Sequence, residues 1–326
     1  MPVSQEVVLA GKFLEQSLVK YETQLIDTQY PEYWGYDGRY HNAIGDLPFG
    51  AKKIAMGRID HTGQAVNYGG KATTIPLANF GINMDEYKTV TGVLAAEWDW
   101  TQLRAQEMAQ TNTYLPYTNV VAEYTAALEK GLREWMHYKA VFGDSSLGMS
   151  GLINNAFVEV IDVNYATFLG LTDPNAIYDF FRVQASDFRK SSKLTVEATR
   201  VLSSEDVRVH MTRRFTDGSA DGTPMQMLLR NNEMPSISAF DVVNEMSSDG
   251  LREGGLITGA SSNDREWMLF YEASEDNMIR HFANIEYLPV RLLDDNMTYR
   301  LTGLCATSEV IYKRPYRARL YRFAKA

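Results

Sequence analysis

Residues 58–77, RIDHTGQAVNYGGKATTIPL, carry the punctuation of a β-hairpin and little of the apolar content that would anchor one. Just upstream, AKKIAMGRID (51–60) alternates as a strand, with Ile54 and Met56 on one face and Ala55, Gly57 and Ile59 on the other. HTGQ (61–64) reads as the turn, its glycine supplying the backbone angles a tight reversal needs. AVNYGGKATTIPLANF (65–80) returns, with Gly69 and Gly70 able to host a bulge and Pro76 suited to a sheet edge. A two-stranded hairpin is marginal in water by itself. Two readings stand: an ordinary surface hairpin, or a long arm that becomes ordered by lying on a neighbouring subunit.

The flanking chain has its own grammar. Residues 3–26 place Val7, Val8, Phe13, Leu14, Leu18 and Leu25 at a loose helical period interrupted by Gly11. TQYPEYWGYDGRYHNAIGDLPFG (28–50) is rich in Tyr, Gly and Pro and reads as extended chain. Its aromatics, Tyr30, Tyr33, Trp34, Tyr36 and Tyr40, prefer a surface to lie against, so this segment is expected to drape over something. YKTVTGVLAAEWDW (87–100) reads as a strand running into a helix start, where Asp99 and Gln102 have capping-box spacing. A long helix is predicted over 120–142, about 36 Å at ~1.5 Å per residue, with Val120, Tyr124, Leu128, Gly131, Trp135, Tyr138 and Phe142 on one stripe.

GDSSLGMSGLINN (143–155) breaks that helix with three glycines. Beyond it lie shorter pieces: a helix after Asp173-Pro174, a strand at 197–204, helices at 204–215 and 223–232, and strands at 236–246 and 265–273. Residues 282–326 read mostly as strand. The mixture is α+β.

Composition excludes several classes. The chain has 326 residues, 45% hydrophobic and 22% charged, enough for a sizeable core. Its net charge of −9, from 32 basic and 41 acidic residues, argues against general nucleic-acid binding, which needs a basic excess. One cysteine, Cys305, cannot form an intrachain disulfide and points to a reducing compartment. The start is not a signal peptide, and no stretch approaches the roughly 18 apolar residues of a membrane span, so no membrane partner is expected.

Catalytic and metal-binding patterns are missing as well. GGKA (69–72) lacks the spacing of a phosphate loop, and there is no GxGxxG or HExxH. Glu134 and His137 give a single Glu-x-x-His, where a di-iron bundle needs two; a histidine at the edge of a packed helix is the simpler reading. GMSG around Ser150 is a helix terminator rather than a nucleophile elbow. The histidines (His41, His61, His137, His210, His281) have no metal-ligand spacing, and Asp294-Asp295-Asn296 reads as a turn. The one basic patch, Lys313, Arg314, Arg317, Arg319, Arg322 and Lys325, alternates along a strand, which suits inter-subunit ion pairs or a solvated face better than nucleic acid. No catalytic residue, cofactor site or metal site is assigned.

In order, these elements are an aromatic arm, a polar hairpin, a strand feeding a spine helix, a glycine-rich exit, an α/β region and a strand-rich return. That order resembles a tailed-bacteriophage major capsid protein of the Hong Kong-type fold, which encapsulin shells share. The local likenesses are AVFGDSSLGMSGLINNAFVEV (140–160), SEVIYKRPYRARL (308–320) and the run from Ile26 into the hairpin. The resemblance implies an N-terminal arm (1–48), an extended β-hairpin loop (49–85), a peripheral domain with a long spine helix (86–146 and 281–326) and an axial α/β domain (147–280). It implies a non-enzymatic structural protein whose copies form hexamers and pentamers of an icosahedral shell around packaged double-stranded DNA, bound without sequence specificity.

Scaffolding, portal and decoration proteins would be its partners, the host cytoplasm its place of assembly and the virion its destination. The hairpin would then be the loop that crosses a neighbour, and the N-terminal arm is expected to stay uncleaved. Subunit-interface residues are expected at Tyr33 and Trp34 in the arm, Tyr68 and Lys71 in the loop, and Arg314 and Arg317 in the return. The alternatives are an encapsulin-type compartment, which would need an inner groove for cargo peptide, and a two-domain cytoplasmic enzyme built on the scattered His and Asp residues.

Overall fold

The computed structural model describes residues 33, 35, 38–62, 78–111, 119–168, 170–192, 194–214, 222–230, 237–253, 265–295, 297–314 and 317–324. The strands are β1 (Asn42–Ile44), β2 (Lys53–Thr62), β3 (Asn79–Asp99), β4 (Glu159–Asn164), β5 (Arg200–Ser203), β6 (Ala239–Val242), β7 (Arg265–Tyr271), β8 (Met278–Tyr287), β9 (Arg291–Leu292), β10 (Thr298–Ser308), β11 (Ile311–Tyr312) and β12 (Ala318–Ala324). The helices are α1 (Trp100–Thr111), α2 (Val120–Phe142), α3 (Tyr165–Phe168), α4 (Pro174–Ser191), α5 (Glu205–Met211), α6 (Pro224–Arg230) and α7 (Ser248–Glu253), with a 3-10 turn at Asn244–Met246. One sheet has the order β1-β8-β10-β3-β2, with β11 on β8 and β9 on β10; a second has the order β4-β12-β7-β5-β6. The architecture is α+β, as expected.

The chain divides into two compact units. Among its described residues the first comprises 93–111, 119–132 and 285–304. Its centre is Trp98, buried between the rings of Tyr124 at 6.1 Å and Tyr299 at 6.4 Å. Gln102 returns its side-chain oxygen to the Asp99 N–H at 3.2 Å, which is one half of the capping box expected at the start of α1. The Asp294–Asp295 turn also forms: Asp295 Oδ1 accepts from the N–H groups of Met297 (3.0 Å) and Thr298 (2.9 Å).

Among its described residues the second unit lies within 33–92, 133–284 and 305–324 and holds the five-stranded sheet. Both faces of that sheet are covered. Leu202, Trp267, Leu269, Tyr271 and Leu320 pack with Val141, Leu152, Ile153, Met246 and Tyr312 on one side. Val201, Met268, Phe270, Tyr321 and Phe323 pack with Ile177, Phe181, Val207, Met211 and Leu228 on the other. Double coverage explains why Trp267 to Tyr271 is an unbroken apolar run rather than an alternating one. Helix α4 starts where its sequence says it should: Asp173 accepts from the Asn175 N–H at 3.0 Å and Pro174 takes the first turn. Its buried face is Ile177, Phe181, Ala185 and Phe188, and Phe181 touches the rings of Phe168, Phe180, Phe240 and Phe270. Phe181→Leu should therefore lower stability by about 1–2 kcal/mol, read as a lower urea midpoint at unchanged slope.

Two elements depart from expectation. The hairpin ladder runs through Thr62↔Asn79, so His61 and Thr62, expected in the turn, are strand; Gly63, Gln64, Gly69, Gly70 and Pro76 lie outside the described residues. The last strand, β12, does not join the return at 281–312; it inserts between β4, to which it is parallel, and β7. Its alternating Leu320, Tyr321 and Phe323 need cover on both faces, and only the centre of the second sheet offers it.

Candidate functional site

Strand β2 is an edge strand and pairs with β3 alone among the described strands. Directly opposed residues share a face, so Ile59↔Ile82, Gly57↔Met84 and Phe80 opposite His61 lie on one side of the ribbon. Phe80 is 69% exposed, Ile82 64%, Met84 69% and Ile59 58%. The opposite side carries Asn83 and an Arg58–Asp85 ion pair at 3.4 Å. Toward its far end, from residue 57 on, the ribbon thus has one polar face and one exposed apolar face. The sequence places the turn at 61–64 and the return at 65–80; the observed return strand runs from Asn79 to Asp99 and adds Ile82 and Met84 to Phe80.

The ribbon is anchored at its root. Ile54 packs with Leu47, Phe49, Ala283 and Ala306. Glu309 accepts from the N–H groups of Lys88 and Ser150, both at 2.9 Å, and the Lys88 ammonium donates to the carbonyl of Leu147 at 2.6 Å. The root is thus tied to the chain that leaves α2, and that exit is itself closed. The last four carbonyls of α2 have no partner inside the helix. Gly143 N–H serves Lys139, Leu152 N–H serves Ala140, Ile153 N–H serves Val141, and the Asn154 amide serves Phe142. Gly143 has φ +68°, and a Cβ there would lie 2.2 Å from the Met149 carbonyl oxygen. Asp144 is held at about 2 by the Lys139 ammonium and Ser146.

Helix α2 buries Leu128, Leu132, Met136 and Ala140, a stripe rotated from the expected one, and His137 is fully buried rather than at an edge. The reason is the arm. Gly35 N–H donates to His137 Nδ1 at 2.9 Å, which leaves the hydrogen on Nε2 to be donated to Glu245 at 2.6 Å. The Tyr33 ring sits 5.7 Å from the imidazole. A side chain at 35 would come within 2.7 Å of Nδ1, so glycine permits the approach.

Of the residues expected at interfaces, Tyr33 contacts His137 of its own chain; Trp34, Tyr68 and Lys71 lie outside the described residues. Arg314 is exposed, whereas Arg317 is buried and pairs with Glu272. Two more residues of the basic patch are neutralised internally. Arg319 pairs with Glu159 at 2.7 Å and Arg322 with Asp162 at 2.8 Å, because β12 lies in register with the acidic strand β4. Those pairs are within the chain, where the alternation suggests pairs between subunits or a solvated face. Sequence alone did not show which strand β12 would meet. Among the described residues no cluster of His, Cys, Asp and Glu could hold a metal ion, and no helix is long and apolar enough to cross a membrane.

A two-sheet α+β chain with a spine helix and a projecting ribbon is the Hong Kong-type capsid fold. The capsid of Myoviridae phage XM1 has this architecture with a TM-score of 0.75 at 11% identity, covering 94% of this chain and 97% of that one. The capsid of the native GTA particle matches with a TM-score of 0.59 at 10% identity over 99% of both chains, and that of cyanophage P-SCSP1u at 0.54 and 10% over 96% and 95%. No curated protein sequence matches the chain. The family model described as Major capsid protein matches residues 63–321, and the chain belongs to that family. It is a structural, shell-forming protein.

Proposed function

We propose that copies of this chain associate as hexamers and pentamers and close into an icosahedral shell around packaged double-stranded DNA. The bare apolar face of the ribbon carries this reading: Ile59, Phe80, Ile82 and Met84 gain about 1–2 kcal/mol each when covered, and a second copy is the partner always present. Repeated over every subunit, such contacts add by multivalency. The role is mechanical, with no catalysis. A net charge of −9 and the internal pairing of Arg317, Arg319 and Arg322 suit a wall that holds DNA without gripping it.

In this reading the arm (1–48), loop (49–85), peripheral domain and axial domain (147–280) keep their expected roles, with β12 added to the axial sheet. Trp34, Tyr68, Lys71 and Arg314 are the interface candidates, while Tyr33 and Arg317 have their described contacts inside the subunit. Scaffolding, portal and decoration proteins are the expected partners in the host cytoplasm, before the shell enters the virion.

Size-exclusion chromatography and negative-stain microscopy test the assignment on the protein expressed alone and with its neighbouring genes. Closed shells or free hexamers and pentamers are expected, with nuclease-protected DNA when packaging genes are present. Shells filled with protein cargo instead would mark an encapsulin-type compartment. A monomer or dimer under both conditions overturns the reading.

A further inference from the structure

The segment that enters the ribbon is seated on β8 by a short parallel ladder: Asn42 lies beside Ile279, Ala43 beside Arg280 and Ile44 beside His281. Its one fully inserted polar side chain is His41, 3% exposed, whose Nε2 has no hydrogen-bond partner among the described residues. Among the described residues, the charged groups that act on it are Arg280 and His137. Arg280 of β8 is fully buried and donates to the Met136 carbonyl (3.3 Å) and Thr307 Oγ1 (3.2 Å). His137 of α2 is committed to Gly35 and Glu245. Around the flanking backbone, Tyr271 of β7 donates to the Tyr40 carbonyl at 2.7 Å, and Arg200 of β5, near Asp241, donates to that of Arg39. The nearest carboxylate on the segment itself is Asp46, which is exposed and bonded to His281 at 2.6 Å.

We propose that the seat of His41 is an acid-opened latch, releasing residues 38–47 from β8 on mild acidification while the five-stranded sheet stays closed. A protonated imidazole in this seat would be a second buried cation beside Arg280, with its Nε2 facing no acceptor among the described residues. Released into solvent, the same imidazole is protonated freely. Burial, then Arg280, then His137 hold the seated His41 well below its ordinary value. The seated state therefore keeps its full advantage above about pH 6.5 and loses it as pH falls toward the depressed value, about tenfold in the opening equilibrium per pH unit. Because residues 38–47 lead directly into Lys53 and the ribbon, release would free the ribbon's root on the arm side.

Hydrogen exchange on the full-length protein, expressed as a protection factor to remove the intrinsic pH dependence, tests this. Between pH 6.5 and 5 the amides of Asn42–Ile44 should lose at least tenfold protection while those of β7 and β12 hold. His41→Gln, which cannot take the proton, should flatten the profile, and Asp46→Asn should leave its slope intact. Should the glutamine variant misfold, His41→Asn carries the same test. A flat wild-type profile, an unchanged slope in the His41 variant, or a slope abolished by Asp46→Asn alone each overturns the proposal.

Discussion

The double substitution Ile82→Asp and Met84→Asp should yield a folded chain that forms neither capsomers nor shells. Both side chains are more than three-fifths exposed, and they stand on the apolar face of the ribbon. The isolated subunit should tolerate the change, since exposed substitutions fall within about ±0.5 kcal/mol, plus some loss of strand propensity. In an assembled contact the same two carboxylates would sit against apolar surface, where an unpaired charge costs several kcal/mol or must be neutralised. That loss recurs at every copy, so a shell has no way to average it out. Sedimentation should show wild-type particles replaced by slow species with an unchanged far-UV spectrum. Asn83→Asp, on the polar face beside Arg58, is the matched control and should assemble. Particles from the double variant in wild-type yield would show that the apolar face is not the contact.

Gly143→Ala should remove a large share of the folding stability, about 3–5 kcal/mol against a total of ~5–15. Two penalties coincide. Residue 143 has φ +68°, costing any L side chain about 1 kcal/mol or more. The new Cβ would also lie 2.2 Å from the Met149 carbonyl and 2.6 Å from the Gly151 nitrogen, both backbone atoms that cannot step aside. Opening the Asp144–Met149 bridge to make room would pull Leu152, Ile153 and Asn154 off the helix end and expose its carbonyls. Urea denaturation, or the soluble fraction if none survives, reads the loss. Asp144→Asn is the comparison: it removes the charge facing Lys139 without touching the backbone and should cost far less. Equal stability of both variants would mean the exit loop rearranges freely.

Local rules made much of this fold legible. Helix α2 ends at Phe142 because three glycines follow, and α4 begins at Pro174 because Asp173 caps it. Partnerships across the chain were not legible. His137 looked marginal because nothing in its neighbourhood shows that Gly35, some hundred residues earlier, comes to rest on it. The basic strand near the C-terminus looked available for other subunits because its acidic complement, Glu159 and Asp162, sits in a distant strand of similar length. The ribbon's apolar face was missed for a different reason: an early glycine was taken as the turn, and the face only becomes visible once Phe80 is set opposite His61.

The position of β12 also governs when the subunit can exist at all. Its residues fill the slot between β4 and β7, so a growing polypeptide that has not reached residue 324 holds a sheet split in two, with open edges on either side of the gap. During synthesis the ribbon is made early, yet the body that would present it to other molecules closes only afterwards. The same ordering makes the unfinished edges the place where aggregation would start if translation stalled.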